Sequence, residues 1–423
     1  MAPNTFFVCC TSLLIVAQSG CVTGRRHVPL LLAPSTRLVE VELAGTSSQS
    51  DLNHRVVPAG TNVAPRNVLV LSGGGANGAY TAGVLNGWTA SGTRPTFDVV
   101  TGISTGALIA PFAFLGSEYD DLLRYGYTST KQSDIFKRRW LPELLWSDSI
   151  ADSAPLKVKI ASEITPKVLT RIADAHRGGR RLYVGTTDLD SKRLVVWDLG
   201  AIACRGDLRG LRLFRDVLLA SASVPGLLPP VDVEIDVDGH RHTELHVDGG
   251  VAASFFLQPA MMGINPEQIT PKPPNDSHVY VVIAGQLELP RRVVKRRLTN
   301  VIEESIGGVL QSQLEGDLLQ TYLLARFAGA SFSVTSVPKD VTFQPDPLVF
   351  DPATMQKLFE TGYKHASPGH EWQDLPANLS YEKQDLPRGG VEFTVFESAD
   401  RHTGNAASMR LRGSRWVDVA SHD

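Results

Sequence analysis

From residue 67 onward the chain alternates short apolar runs, most of them stopped by glycine, with longer stretches of helical spacing. The runs at 68–71, 99–100, 182–185, 195–197, 247 and 279–284 read as strands. Residues 299–327 read as one or two helices and 355–363 as another. Strands that alternate with helices predict an α/β fold, a three-layer α/β/α sandwich with a mostly parallel central sheet covered on both faces. Upstream, residues 22–65 are rich in Ser, Thr, Pro and Asn and read as a tether with one strand near 38–43. After Ala366 the pattern turns polar and is punctuated by Gly and Pro, so 367–423 is expected to be an irregular extension.

One hairpin is predicted between Val231 and Val247, with its turn near Asp238-Gly239. A three-residue loop, Asp238 to His240, sets Val231, Val233 and Ile235 opposite Val247, Leu245 and Thr243 on one face. Asp232 then pairs with His246, and Asp236 with His242, on the other. On that register His240, His242 and His246 belong to a solvated face and not to a metal site.

Bulk composition changes the picture little. The chain has 423 residues, 43% apolar and 20% charged, with a formal net charge of −3. That is enough for a large core and gives no reason to expect a nucleic-acid partner. No apolar run reaches the length of a membrane span. The N-terminus is more informative: Phe6 to Ala17 is apolar and is followed by Ser19-Gly20-Cys21. This looks like a secretory signal ending in a lipoprotein processing box, with residues 1–21 as leader and Cys21 as the acylated mature N-terminus. Gln18 stands where that box usually has Leu, and no Lys or Arg precedes the apolar run. The expected location is therefore the periplasmic face of a bacterial membrane or the cell envelope, with a cytoplasmic chain as the alternative. Cys9 and Cys10 would leave with the leader, so Cys204 alone would remain, with no disulfide and no thiolate metal site.

The chemistry concentrates at three places. Val99 to Ala107 runs as an apolar strand into Gly102-Ile103-Ser104-Thr105-Gly106 and a small-residue start of helix. That is the context of a nucleophile elbow, where a serine sits on a strained strand-to-helix turn and flanking glycines let backbones approach. Upstream, the strand at 67–71 leads into Ser72-Gly73-Gly74-Gly75-Ala76-Asn77-Gly78. Consecutive unshielded N–H groups at a helix start suit either a dinucleotide phosphate or the oxyanion of acyl transfer. Gly73, Gly75 and Gly78 satisfy the dinucleotide spacing, but the acid at the right distance, Asp98, lies at the wrong end of its strand. Downstream, Asp248-Gly249-Gly250 closes the strand that ends at Val247 and can turn a carboxylate toward the catalytic edge. Histidine is the commoner base, and His278, His365, His370 and His402 all follow, though none sits in a recognisable strand-end loop.

Taken together, Gly-Gly-Gly-Ala-Asn-Gly, Gly-Ile-Ser-Thr-Gly and Asp-Gly-Gly, in that order, resemble the patatin-like phospholipase family of bacterial, lipoprotein-like type. The stretches 187–197, 220–230 and 350–363 are similar to the same family, so the resemblance covers about residues 66–366. It implies a Ser–Asp dyad lipid acyl hydrolase with Ser104 as nucleophile, Asp248 as base and the N–H groups of Gly73, Gly74 and Gly75 as oxyanion hole. It implies no cofactor or metal, and membrane lipids or lipid esters as substrate. Where the family's loop usually carries Arg or Lys, this chain has Asn77. A Ser-His-Asp esterase of α/β-hydrolase type and a catalytically weak scaffold that retains the fold are the competing expectations. Two basic and apolar stretches, 137–146 and 291–297, read either as lipid contacts or, more simply, as solvated faces beside a buried helix.

Overall fold

The computed structural model describes residues 36–39, 66–140, 142–143, 146–237, 240–264, 271–287, 293–341, 347–367 and 372–374. The chain divides into two units, 1–377 and 378–423, and the second lies wholly outside the described residues. So do the leader, Cys21 and most of the expected tether and C-terminal extension.

The centre is a nine-stranded sheet. In chain order its strands are β1 (Thr36–Val39), β2 (Asn67–Leu71), β3 (Val99–Ile103), β4 (Arg181–Asp188), β5 (Arg193–Asp198), β6 (Val231–Val237), β7 (His240–Asp248), β8 (His278–Ile283) and β9 (Ser331–Ser336). Strands β4, β3, β2, β8 and β9 lie side by side and parallel, in that order. Strand β5 pairs antiparallel with β4, and β1 runs parallel to β5 at the edge. The predicted mostly parallel sheet is therefore what forms, and it gains β9, which the apolar pattern left unmarked.

Alternate residues of the central strands feed two separate cores. Leu69, Leu71, Val100, Leu182 and Val184 point to one side and Val68, Val70, Val99, Ile103 and Val279 to the other, all of them buried. On the first side lie α1 (Gly78–Ala90), α2 (Thr105–Leu115), α3 (Leu208–Ser221) and α5 (Pro352–Ala366); on the second lies α4 (Leu298–Phe327). Helices on both faces cover the sheet, as the alternation predicts. Glycines set how closely α1 and α5 cross: a Cβ on Gly83 would lie 2.1 Å from the Phe359 carbonyl oxygen, and one on Gly362 would lie 2.3 Å from that of Tyr80. Past Ala366, Gln373 bridges to Val334 of β9 and Trp372 packs on Trp88 and Tyr280.

The hairpin β6–β7 corrects the expected register. Val231 pairs with His246, Val233 with Glu244 and Val237 with His240, so the turn spans two residues, 238–239, and not three. His246 is not on a solvated face. It is fully buried, with Nδ1 bonded to Thr186 Oγ1 at 2.9 Å and Nε2 to Glu244 Oε2 at 3.1 Å. Trp197 Nε1 donates to the same Thr186 hydroxyl. A polar pair that satisfies itself can be buried, and period-two counting of apolar residues does not detect it. Among the described residues no cluster of three potential metal ligands occurs, and no helix is long and apolar enough to cross a membrane.

Candidate active site

The glycine loop, the elbow and the Asp-Gly-Gly turn meet at the carboxyl edge of the parallel strands. Strands β2 and β3 are neighbours, so the loop after β2 and the turn after β3 are side by side. In open α/β sheets this edge, next to the strand where connections reverse direction, is where ligands bind. Asp248 reaches the same place by a different route. The last β3–β4 pair is Ile103 with Gly185; one residue further along β4, on the edge that β3 has vacated, Thr186 pairs with Asp248 of β7. Ser104 is the residue after Ile103, so sheet pairing itself brings serine and aspartate together across 144 positions of sequence.

Ser104 Oγ donates to Asp248 Oδ2 at 2.6 Å, and both residues are buried. Ser104 has φ 55° and ψ −123°, a backbone conformation that costs a non-glycine residue about 1–3 kcal/mol. The flanking glycines are required by contact: a Cβ on Gly102 would lie 2.5 Å from the Gly106 carbonyl oxygen, and one on Gly106 would lie 2.6 Å from that of Leu71. In the Asp-Gly-Gly turn, a Cβ on Gly249 would meet the Gly185 carbonyl oxygen at 2.5 Å, while the Gly250 N–H donates to Asp248 Oδ1 at 2.7 Å. Burial pushes the Asp248 carboxyl up to about 6, against the bonds from Ser104 and Gly250, which favour its charged form.

The segment that begins at the end of α3, to which the sequence assigns no role, holds both backbones of the pair. Ser221, the last residue of α3, accepts the Ser104 N–H on its hydroxyl at 3.0 Å and donates that hydroxyl to the Gly185 carbonyl at 2.7 Å. Two residues on, the Ser223 carbonyl accepts the Asp248 N–H at 2.9 Å. A serine at a helix end leaves no periodic signal, so only its neighbours in space reveal the part it plays.

The loop itself is partly committed. The Gly73 N–H donates to the Ser254 carbonyl at 3.0 Å and the Ala76 N–H to that of Pro347 at 2.9 Å. Among the described residues the N–H groups of Gly74 and Gly75 make no hydrogen bond, so two of the three expected oxyanion donors are available and Gly73 is not. Gly75 has φ +54°, and a Cβ there would lie 2.1 Å from the Pro347 carbonyl oxygen, so a side chain at this point strains the fold as well as the site. A Cβ on Gly78 would lie 2.3 Å from Thr105 Oγ1, which fixes the loop against the elbow. Asn77 is buried, and its Oδ1 has no hydrogen-bond partner among the described residues.

The competing expectations place their residues elsewhere. Asp98 accepts the N–H groups of Arg66 and Asn67 at the amino end of β2, far from the glycine loop, so it ties down a strand and has no place at a dinucleotide. His278 stacks on Tyr280 and bonds Ser333, and His365 bonds the Tyr80 hydroxyl. Among the described residues no histidine bonds Ser104 or Asp248; His370 and His402 lie outside them. Ser104 and Gly75 open onto a cavity walled chiefly by apolar side chains, among them Leu108, Phe112, Leu218, Leu228, Phe350 and Met355.

Residues 69–261 match the family described as Patatin-like phospholipase. No curated protein matches the sequence. Among solved structures, VipD from Legionella pneumophila aligns with 11% identity and a TM-score of 0.31, over 72% of this chain and 66% of that one, just under two thirds of its length. That degree of likeness carries no functional weight. The matched span contains Ser104, Asp248 and the glycine loop, so the part of the chain that carries the site, residues 69–261, is similar to the patatin-like phospholipase domain.

Proposed function

We propose that the protein is a serine lipid acyl hydrolase that works through a Ser104–Asp248 dyad. One observation carries the reading: a buried 2.6 Å bond joins the serine hydroxyl to a carboxylate at the mouth of an apolar cavity. A lipid ester enters with its acyl chain among Leu108, Phe112 and Phe350 and its carbonyl at Ser104. Asp248 takes the serine proton as Oγ attacks, and the N–H groups of Gly74 and Gly75 stabilise the oxyanion. Asp248 returns the proton to the leaving alcohol, which departs, and then activates the water that frees the fatty acid. A carboxylate with its pKa near 6 is a better base than an exposed aspartate and is still ionised at neutral pH. A matched pKa and a hydrogen bond already made in the free enzyme replace what histidine supplies in the three-residue arrangement.

The apolar cavity favours long acyl chains, and (lyso)phospholipids are the substrates we propose. Hydrolysis of a panel of phospholipids, lysophospholipids and short-chain esters tests this. Release of fatty acid from the lipids, with activity that grows with acyl length, is the expected result. Cleavage of short water-soluble esters alone would overturn the substrate class.

A further inference from the structure

We infer that the N-terminal half of α4, together with an apolar rim around the cavity mouth, docks the enzyme on an anionic lipid surface. This rests on the proposed hydrolase reading for its purpose, though not for its geometry. Among the described residues, the side-chain bonds that tie helix α4 to the body begin at residue 311. Gln311 Nε2 donates to the Leu287 carbonyl, Gln313 Nε2 to the Gly250 carbonyl, and Asp317 Oδ2 accepts the Ser254 N–H. Leu318 and Ala325 are then buried against the sheet.

Gly250 and Leu287 both lie past the carboxyl ends of their strands, and after α4 the chain enters β9, parallel to β8. The helix therefore runs from the catalytic edge toward the opposite edge, and residues 298–310 extend beyond the catalytic edge. That is about 20 Å of helix at 1.5 Å per residue. Among those whose side chains are described, none is buried. Leu298, Val301, Ile302, Ile306, Val309 and Leu310 are 47–76% exposed and recur at three- and four-residue spacing, so they form one apolar stripe.

A stripe of this kind in water has a cost that only a partner offsets. Two further observations identify the partner as lipid. Lys295, Arg296 and Arg297 are exposed immediately before the helix. Cations at a helix N-terminus oppose its dipole, so they are not there to stabilise the helix, and they match an anionic surface. The apolar stripe is also continued around the mouth by separate elements. Val251 is exposed directly after Gly250, and Val349 sits beside Leu348, which lines the cavity. Trp140, Trp146 and Ile150 are exposed on a segment whose residues 150 and 151 bond to Gly226 and Leu227, and Leu227 also lines the cavity. A basic flank, interfacial tryptophans and an apolar stripe around an acyl cavity are what a surface-binding enzyme presents to a bilayer.

The test uses the full-length chain carrying Ser104→Ala and Cys21→Ser, so that neither turnover nor acylation contributes to binding. Co-sedimentation with vesicles of phosphatidylcholine, and of phosphatidylcholine mixed with phosphatidylglycerol, should show stronger binding to the mixture. Adding Ile306→Asp and Val309→Asp should lower that binding by about tenfold or more, and Lys295→Glu, Arg296→Glu and Arg297→Glu should remove the preference for the mixture. With Ser104 restored, Ile306→Asp/Val309→Asp should cleave a short soluble ester at the wild-type rate, which shows that the fold and site are intact. Binding unchanged by either set of substitutions would overturn the inference. So would a concentration-dependent dimer, seen by sedimentation velocity, that Ile306→Asp/Val309→Asp dissolves. If the Ser104→Ala chain binds vesicles as described while the wild type cleaves no ester, docking stands and the proposed hydrolase fails.

Discussion

Asp248→Asn should make the protein inactive and, at alkaline pH, more stable. In the folded protein the Asp248 carboxyl is raised from 3.8 to about 6, with burial as the largest cause. A rise of that size corresponds to about 3 kcal/mol of differential interaction between the two protonation states. Because the folded value lies above the unfolded one, that contribution is fully present below about pH 3.8 and is lost as pH rises through about 6. Above pH 6 the folded protein holds a buried charge that the unfolded chain solvates freely. Asparagine has the same shape and no charge. Its Oδ1 can accept the Gly250 N–H, as Asp248 Oδ1 does at 2.7 Å, and its amide can donate to Ser104 Oγ. The variant should therefore gain about 3 kcal/mol over wild type at pH 8 and about 1 kcal/mol at pH 4.5. Asp317, whose carboxyl is also pushed up to about 6, titrates in both proteins and cancels in the difference. Urea unfolding of both proteins at the two pH values measures it, and ester hydrolysis should fall by about four orders of magnitude. A stability difference that does not grow with pH, or that favours wild type at pH 8, would refute the assignment of a buried ionised Asp248.

Other outcomes follow from particular contacts. Ser104→Gly should be more stable than Ser104→Ala by about 1 kcal/mol in urea unfolding, because both lose the Asp248 bond but only glycine sheds the backbone strain, less the freedom it adds to the unfolded chain. Ser221→Ala leaves the buried Ser104 N–H and Gly185 carbonyl without their bridge. It should cost about 1–3 kcal/mol of stability and lower kcat more than it raises KM; unchanged unfolding and kcat would deny the bridge. Wild type expressed in a bacterium with a lipoprotein pathway should incorporate labelled palmitate and fractionate with membranes, and Cys21→Ser should do neither.

The central sheet was legible because its strands are apolar runs that end in glycines, and those glycines mark where backbones approach: Gly102, Gly106 and Gly249 would each collide with a carbonyl if they bore a side chain. The three site blocks were legible for the same reason, since strand-end loops in a parallel sheet share an edge. What brings Asp248 to Ser104 was not. It depends on β7 pairing with β4 just where β3 ends, a long-range choice that no local spacing encodes. The hairpin register failed because the expectation gathered apolar residues on one face, whereas Glu244 and His246 satisfy each other inside. The commitment of the Gly73 N–H to Ser254 and the bridging role of Ser221 are likewise properties of neighbours in space.

The dyad is tested most directly by reaction with a fluorophosphonate, followed by intact mass and peptide mapping across pH. A single phosphonyl adduct should form on Ser104, at a rate that rises through an apparent pKa of about 6 as Asp248 ionises, with essentially no adduct in Asp248→Asn. An adduct on another residue, or labelling of Asp248→Asn at the wild-type rate, would contradict the dyad.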